Sequence, residues 1–238
     1  MQKIELDKIK LNQLKAILAN FNSYTKFSSS KSDAYQYAKL IGVRVCPYCN
    51  ISYTYTVLDE GGEENVFVCR PDFDHFVAKS IDSDLSKAVE NLIPSCLVCN
   101  RTIKGRKEFN DDTHLHPFHE DFDQTKEFFV ELLSADYLNG GGIKILFKDR
   151  IGSTKELSDK ADNNIKDLRL VERYEHHKVD VVELLKKAKY YNRQRIREIS
   201  KLLDLTELKG HLFPEIENDN INSSPLLKLK RDILKQVL

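Results

Sequence analysis

Apolar residues recur along the chain with two different spacings. Ile4, Ile9, Leu14, Ile17, Leu18 and Phe21 follow a helical period, which predicts an amphipathic helix over 4–21. The polar run 26–32 reads as a loop, after which Ser32 or Asp33 caps a short helix through Leu40 that Gly42 ends. From residue 43 the spacing changes. The runs 51–57 (Ile-Ser-Tyr-Thr-Tyr-Thr-Val) and 65–69 (Asn-Val-Phe-Val-Cys) are rich in β-formers and flank Gly61-Gly62, which predicts a hairpin. Short helices are expected over 84–92 and from Cys96 to about Lys107. The runs 128–133 and 143–147, either side of Asn139-Gly140-Gly141-Gly142, predict a second hairpin, although the first arm also suits a helix. After about 155 the helical period returns, with Ile165, Leu168, Leu170, Tyr174, Val181, Leu184, Leu185, Ala188 and Tyr191 mostly three and four apart, and the tract runs to about Leu205. Residues 210–225, with Pro214, Pro225 and three asparagines, read as a loop, and 226–238 as a closing helix. The expected fold is α+β: an N-terminal helical segment (1–42), a mixed core (43–150) and a C-terminal helical region (151–238).

With 238 residues, 41% of them hydrophobic and 31% charged, the chain can bury a real core and lacks the composition of a disordered one. Its longest apolar runs are about four residues, far below the ~18–20 that span a bilayer. The N-terminal stretch MQKIELDKIK carries charge where a signal peptide would be apolar, so a soluble, cytoplasmic protein with no membrane partner is expected. The 37 basic and 37 acidic side chains cancel, which argues against a generally basic nucleic-acid binder; a polyanion would need a local patch.

The cysteines narrow the chemistry. Five cysteines in a reducing compartment favour metal binding over disulfides, and four of them form the pairs Cys46/Cys49 and Cys96/Cys99. Two residues between thiols let both sulfurs reach one ion, and two such pairs complete a tetrahedral zinc shell. The second pair opens a predicted helix, whose N-terminal dipole favours thiolates. Such a closed zinc site is structural. Cys69, in a strand pattern, is expected to be a buried apolar residue.

Between the pairs stand Asp72-Phe73-Asp74-His75-Phe76 and Asn91-Leu92-Ile93-Pro94-Ser95. The second pair runs on as Cys99-Asn100-Arg101-Thr102-Ile103-Lys104-Gly105. Hydrolysing a phosphodiester needs a water, a base to deprotonate it, and positive charge on the phosphate. His75, of a residue type with a reference pKa near ~6.5, suits the base. Asp74 and Asn100 offer hard oxygens that suit Mg²⁺ or Mn²⁺ better than zinc. Cys96, Cys99 and Asn100 stand at i, i+3 and i+4, so zinc and metal ligands would share one helix face, with Lys104 a turn further on. Arg101, Lys104, Arg106 and Lys107 are candidate phosphate contacts.

Over about residues 46–107 this order of motifs resembles the HNH endonucleases and their ββα-metal finger. The resemblance implies Asp74 and Asn100 as ligands of a catalytic Mg²⁺ or Mn²⁺, His75 as general base, and Asn91 as the residue that steadies the loop holding the base. The family's last signature position is often histidine, where this chain has Asn100. The stretches His116-Pro117-Phe118 and Leu170-Val171-Glu172-Arg173-Tyr174 are similar to downstream parts of bacterial antiphage-defence HNH proteins, such as the nuclease component of Septu-type and related retron systems. That implies DNA cleavage leaving a 5′-phosphate, and a partner ATPase that controls it. An RNA-cleaving effector with the same site and a non-catalytic zinc-binding recruitment module are the alternatives.

Weaker signals remain. His114, His116 and His119 crowd six residues; His116 is the candidate for a further metal ligand, against a reading as structural histidines bonded to backbone. His176-His177 reads as surface within a helix. Lys186, Lys187, Lys189, Arg193, Arg195, Arg197 and Lys201 oppose only Glu198 in 186–201, a stretch that would steer nucleic acid or be a solvated face.

Overall fold

Among the described residues, three separate two-stranded antiparallel sheets, rather than one continuous sheet, carry the middle of the chain. The computed structural model describes residues 1–59, 66–78, 84–139, 141–203 and 208–238. Helices α1 (Lys8–Ala19), α2 (Tyr24–Ser29) and α3 (Lys31–Ile41) open it. The expected polar loop at 26–32 is therefore mostly helix: Ser23 caps α2 and Phe27 anchors it in the core. Ser30, rather than Ser32 or Asp33, caps α3 through the Asp33 N–H at 3.3 Å. Gly42 ends that helix at φ 70°, a left-handed conformation that favours glycine.

The first hairpin is shorter than expected. Strand β1 is Val57–Asp59 and pairs with β2, Val66–Cys69; the Gly61-Gly62 turn lies outside the described residues. Residues 52–54 are drawn back onto the Cys46–Cys49 knuckle: Cys46 N–H donates to Ser52 O (2.9 Å) and Thr54 N–H to Arg44 O (2.9 Å). Cys69 is half-buried rather than a core residue. Strand β3 (Asp72–His75) pairs with β4 (Leu92–Ser95), setting Asp74 opposite Ile93 and His75 opposite Leu92. Pro94 hides β4 from a sequence reading, and a two-stranded sheet tolerates it because each strand has an unpaired edge. The helix expected over 84–92 is two 3₁₀ turns, Asp84–Lys87 and Val89–Asn91. Helix α4 (Phe122–Thr125) leads into β5 (Lys126–Leu132), which pairs along its whole length with β6 (Ile143–Asp149), as the second hairpin predicts.

The C-terminal third is helical: α5 (Lys155–Asp167), α6 (Leu170–Glu175), α7 (Lys178–Tyr190), α8 (Arg193–Leu203), α9 (Leu208–Leu212), α10 (Pro214–Glu217) and α11 (Leu227–Val237). His176 and His177 fall in the break between α6 and α7 rather than within a helix. The stretch expected to be a loop at 210–225 holds α10 and part of α9, because Pro214 at the first helical position starts a turn readily. One hydrophobic cluster takes residues from all three segments, among them Phe27 and Tyr37, Phe73 and Phe76, and Tyr174 and Leu229. No helix among the described residues is long and apolar enough to cross a membrane.

Charge as well as apolar area locks α11 to the hairpin. Buried Lys228 meets Asp123 at 2.6 Å and Asp232 at 2.8 Å, Arg231 meets Asp232 at 2.9 Å, and Arg150 reaches Asp232 at 3.1 Å. Burial alone would raise the Asp123 carboxyl, but Lys228 and Arg231 hold it well below the usual carboxylate range. A group depressed in the folded state stabilises above its unfolded pKa, about 3.9, and loses that contribution as pH falls further. Wild type is therefore expected to lose denaturant resistance between pH 5 and pH 3 more steeply than Asp123→Asn, as equilibrium unfolding at each pH would show. At pH 7 the variant should be destabilised by about 3–5 kcal/mol, because cations are left without their partner.

Candidate functional site

The site grows from the two cysteine pairs. After Cys49 the chain turns through Asn50 at φ 53°; of the second pair, Cys96 directly follows β4 and Cys99 lies in a π-helical turn, Val98–Lys104. The four sulfurs are buried, reduced and all within 4.8 Å of one another. In a tetrahedral zinc–thiolate centre with ~2.3 Å bonds the sulfurs lie about 3.8 Å apart; Cys49 and Cys96 Sγ are 3.9 Å apart. Backbone N–H groups of Ile51, Cys96 and Cys99 point at Cys49, Cys46 and Cys96 Sγ, each at 3.4 Å. Hydrogen bonds from Cys46, Cys49 and Cys99 hold the Cys96 thiol well below its ordinary pKa. The cluster thus has the donors and spacing to hold a zinc ion, and nothing else in its donor set suggests a harder cation.

Residues outside the motif complete this shell. Arg173 on α6 donates to Cys99 Sγ at 3.2 Å, and although burial opposes it, the neighbouring Cys99 and Cys49 push its guanidinium pKa up. Tyr174 donates to Cys49 O at 2.5 Å. The Asn50 side chain bonds Ile221 O and the Lys228 N–H, so the knuckle also receives the start of α11. In the sequence Arg173 stands out only through the family resemblance, and Tyr174 only through that and its place in the helical period, since a partner more than 70 residues away leaves no local pattern.

The β3–β4 hairpin places the candidate catalytic residues. His75 ends β3, and its Nε2 donates to Ser86 O at 3.1 Å, which fixes the orientation of the ring. Asn91 supports the carbonyl's loop from the partner strand's start. Its Oδ1 accepts from Val77 N–H (2.7 Å), and its Nδ2 donates to Val77 O and Leu85 O (3.0 Å each). The Tyr24 ring meets the His75 imidazole edge-on, with centroids 4.3 Å apart. Asp74 is turned inward and is only 4% exposed. It accepts from Tyr48 Oη (2.6 Å) and from Lys104 Nζ (3.1 Å), and burial pushes its carboxyl up while Lys104 pulls it back.

Asn100 is half-buried and borders a polar hollow with Tyr24, Ser28, Arg70, Asp72, Phe73 and Arg101. The turn that carries it is π-helical, closed by Gly105 N–H on Asn100 O (2.9 Å), and not the regular helix expected to Lys107.

The expected phosphate contacts are dispersed. Lys104 is buried on Asp74 and the His75 carbonyl, so it is no surface contact. Arg101 forks onto Asp72 at 2.7 and 2.8 Å, and Lys107 binds Asp167 O at 2.5 Å. Arg106 is exposed. His114 is structural: it stacks on Phe109 (3.7 Å) and bonds Asp167. His116 is buried beneath Phe76 and lies with Asp111 and His119. Comparison with known proteins returns no matching family model, curated protein or solved structure.

Cys96→Ser is expected to abolish bound zinc, measured by elemental analysis, and to remove most of the cooperative thermal transition, because metal binding and folding are coupled. Cys69→Ser should change neither. Lys104→Met should cost about 3–5 kcal/mol in denaturant unfolding, since it strands the buried Asp74 carboxylate.

Proposed function

We propose that the chain is an HNH-type phosphodiesterase that hydrolyses DNA. One observation carries the reading: an imidazole at the end of a hairpin strand has its Nε2 committed to Ser86 O, in a loop that Asn91 pins from the turn just before the partner strand. That arrangement fixes the orientation of the ring that would act as the base, and proton abstraction by a positioned base is worth about 10²–10⁴ in rate. His75 takes the proton of a water that attacks phosphorus, the 3′-oxygen leaves, and a 5′-phosphate remains. Asn91 is a positioning residue. Zinc at the four cysteines would set the height of the turn bearing Asn100 relative to β3.

Asp74 faces inward onto Tyr48 and Lys104, whereas Asn100 borders the hollow that Asp72 lines, so the assignment of Asp74 and Asn100 as hard donors for Mg²⁺ or Mn²⁺ rests on the motif resemblance. Such an ion would supply charge stabilisation for the phosphate and leaving oxygen. Arg101 and Arg106, at the turn's exposed end, would meet the backbone, Arg101 by exchanging Asp72 for phosphate. DNA as substrate, a role in antiphage defence and control by a partner ATPase rest on the motif resemblance.

The test is cleavage of plasmid DNA and of a matched RNA with Mg²⁺, Mn²⁺ or EDTA, comparing wild type with His75→Ala. Cleavage should need the divalent ion and fall at least ~100-fold in the variant, with unchanged thermal stability. Equal cleavage by the variant overturns the assignment, and cleavage of RNA alone moves the substrate class. A cellular phenotype that His75→Ala leaves intact would make the protein a zinc-binding recruitment module. Asn91→Ala should lower kcat more than it changes KM, since it frees the loop without touching substrate.

A further inference from the structure

We propose that Asp111, His116 and His119 form a second metal site, for zinc or another late first-row divalent ion. The proposal does not depend on the nuclease reading and shares no residue with the His75 site; of its three ligands only His116 belongs to a stretch that carries the family resemblance.

The loop after the π-helical turn brings these three side chains together within nine residues of chain, each with a ligand atom within 4.8 Å of the others. Two imidazoles and a carboxylate are borderline donors that suit zinc, nickel or copper better than magnesium. The turn itself sets the pairing. His119 N–H donates to His116 O at 3.0 Å, which puts residues i and i+3 on one side and stacks their rings at 4.1 Å.

His116 is the fixed member. It is 3% exposed, its N–H is held by Glu120 at 3.0 Å, and Glu120 is itself held by Lys160 at 2.8 Å. Ligation through either nitrogen gives up one contact, the 3.2 Å bond from Phe118 N–H to Nδ1. Asp111 and His119 are largely exposed and can swing onto that anchor.

His119 already faces a carboxylate on each edge. Its Nδ1 lies 3.5 Å from Asp111 Oδ1, close to the ~3.3 Å between neighbouring N and O donors of a tetrahedral zinc. Its Nε2 lies 3.5 Å from Glu90 Oε2, where a carboxylate would take the ring N–H and orient the ligand. Glu90 sits beside Asn91 in the turn Val89–Asn91, so a bound ion would tie the 108–120 loop to the segment that steadies the His75 loop.

The measurement is zinc stoichiometry and affinity on protein whose four-cysteine cluster is already zinc-loaded, by equilibrium dialysis and elemental analysis. Wild type should take up one further zinc per chain. His119→Ala and Asp111→Asn should each weaken that uptake at least tenfold, and Glu90→Gln by about tenfold. Added zinc should raise the melting temperature of wild type but not of His119→Ala, whose stability without added zinc should match wild type because the side chain is exposed. No further zinc in wild type, or uptake undiminished in both His119→Ala and Asp111→Asn, overturns the proposal.

Discussion

Four buried sulfurs converging on one point hold the rest of the molecule in register. The cluster joins a knuckle at 46–49 to a turn at 96–99, across 46 intervening residues that include two hairpin strands of the candidate site. Buried thiols cannot be left as a mutually repelling group of thiolates, and a soft divalent ion at their centre resolves the conflict. Arg173 supplies further positive charge from α6, and Tyr174 and Asn50 connect the same knuckle to α6 and α11. The C-terminal helices therefore form part of the surroundings of the cysteine cluster, and the chain shares one core from Met1 to Ile233.

The hairpin beside the cluster divides its polar groups between two environments. Asp74 and Lys104 face inward as a buried pair, which fixes the π-helical turn against β3. His75, Asn100 and Arg101 stand nearer the surface, bordered by Tyr24 from the N-terminal helices. A buried pair of this kind contributes little net stability but is costly to break, so it holds orientation more than it adds free energy.

Much of this was legible residue by residue. The CxxC spacing marked the sulfur cluster, helical periodicity marked α1, α7 and α11, and the paired β-rich runs marked β5 and β6. Where local patterns misled, a distant partner had intervened: residues 52–54 fold back on the knuckle, and Pro94 sits in a strand because no third strand needs its missing N–H. Lys104 reads as a surface cation because helical spacing says nothing of a carboxylate thirty residues earlier.

By itself, the sequence determined which donors exist and how far apart they stand along the chain: four thiols in two pairs, an Asp-His step, two asparagines and a histidine cluster. Tertiary structure alone decided which of them meet. It paired Asp74 with Lys104, aimed His75 Nε2 at Ser86, brought Arg173 to Cys99 and set His119 between Asp111 and Glu90. The reason is that covalent spacing fixes contacts only within a turn or a hairpin, whereas longer-range pairing depends on where burial places each segment.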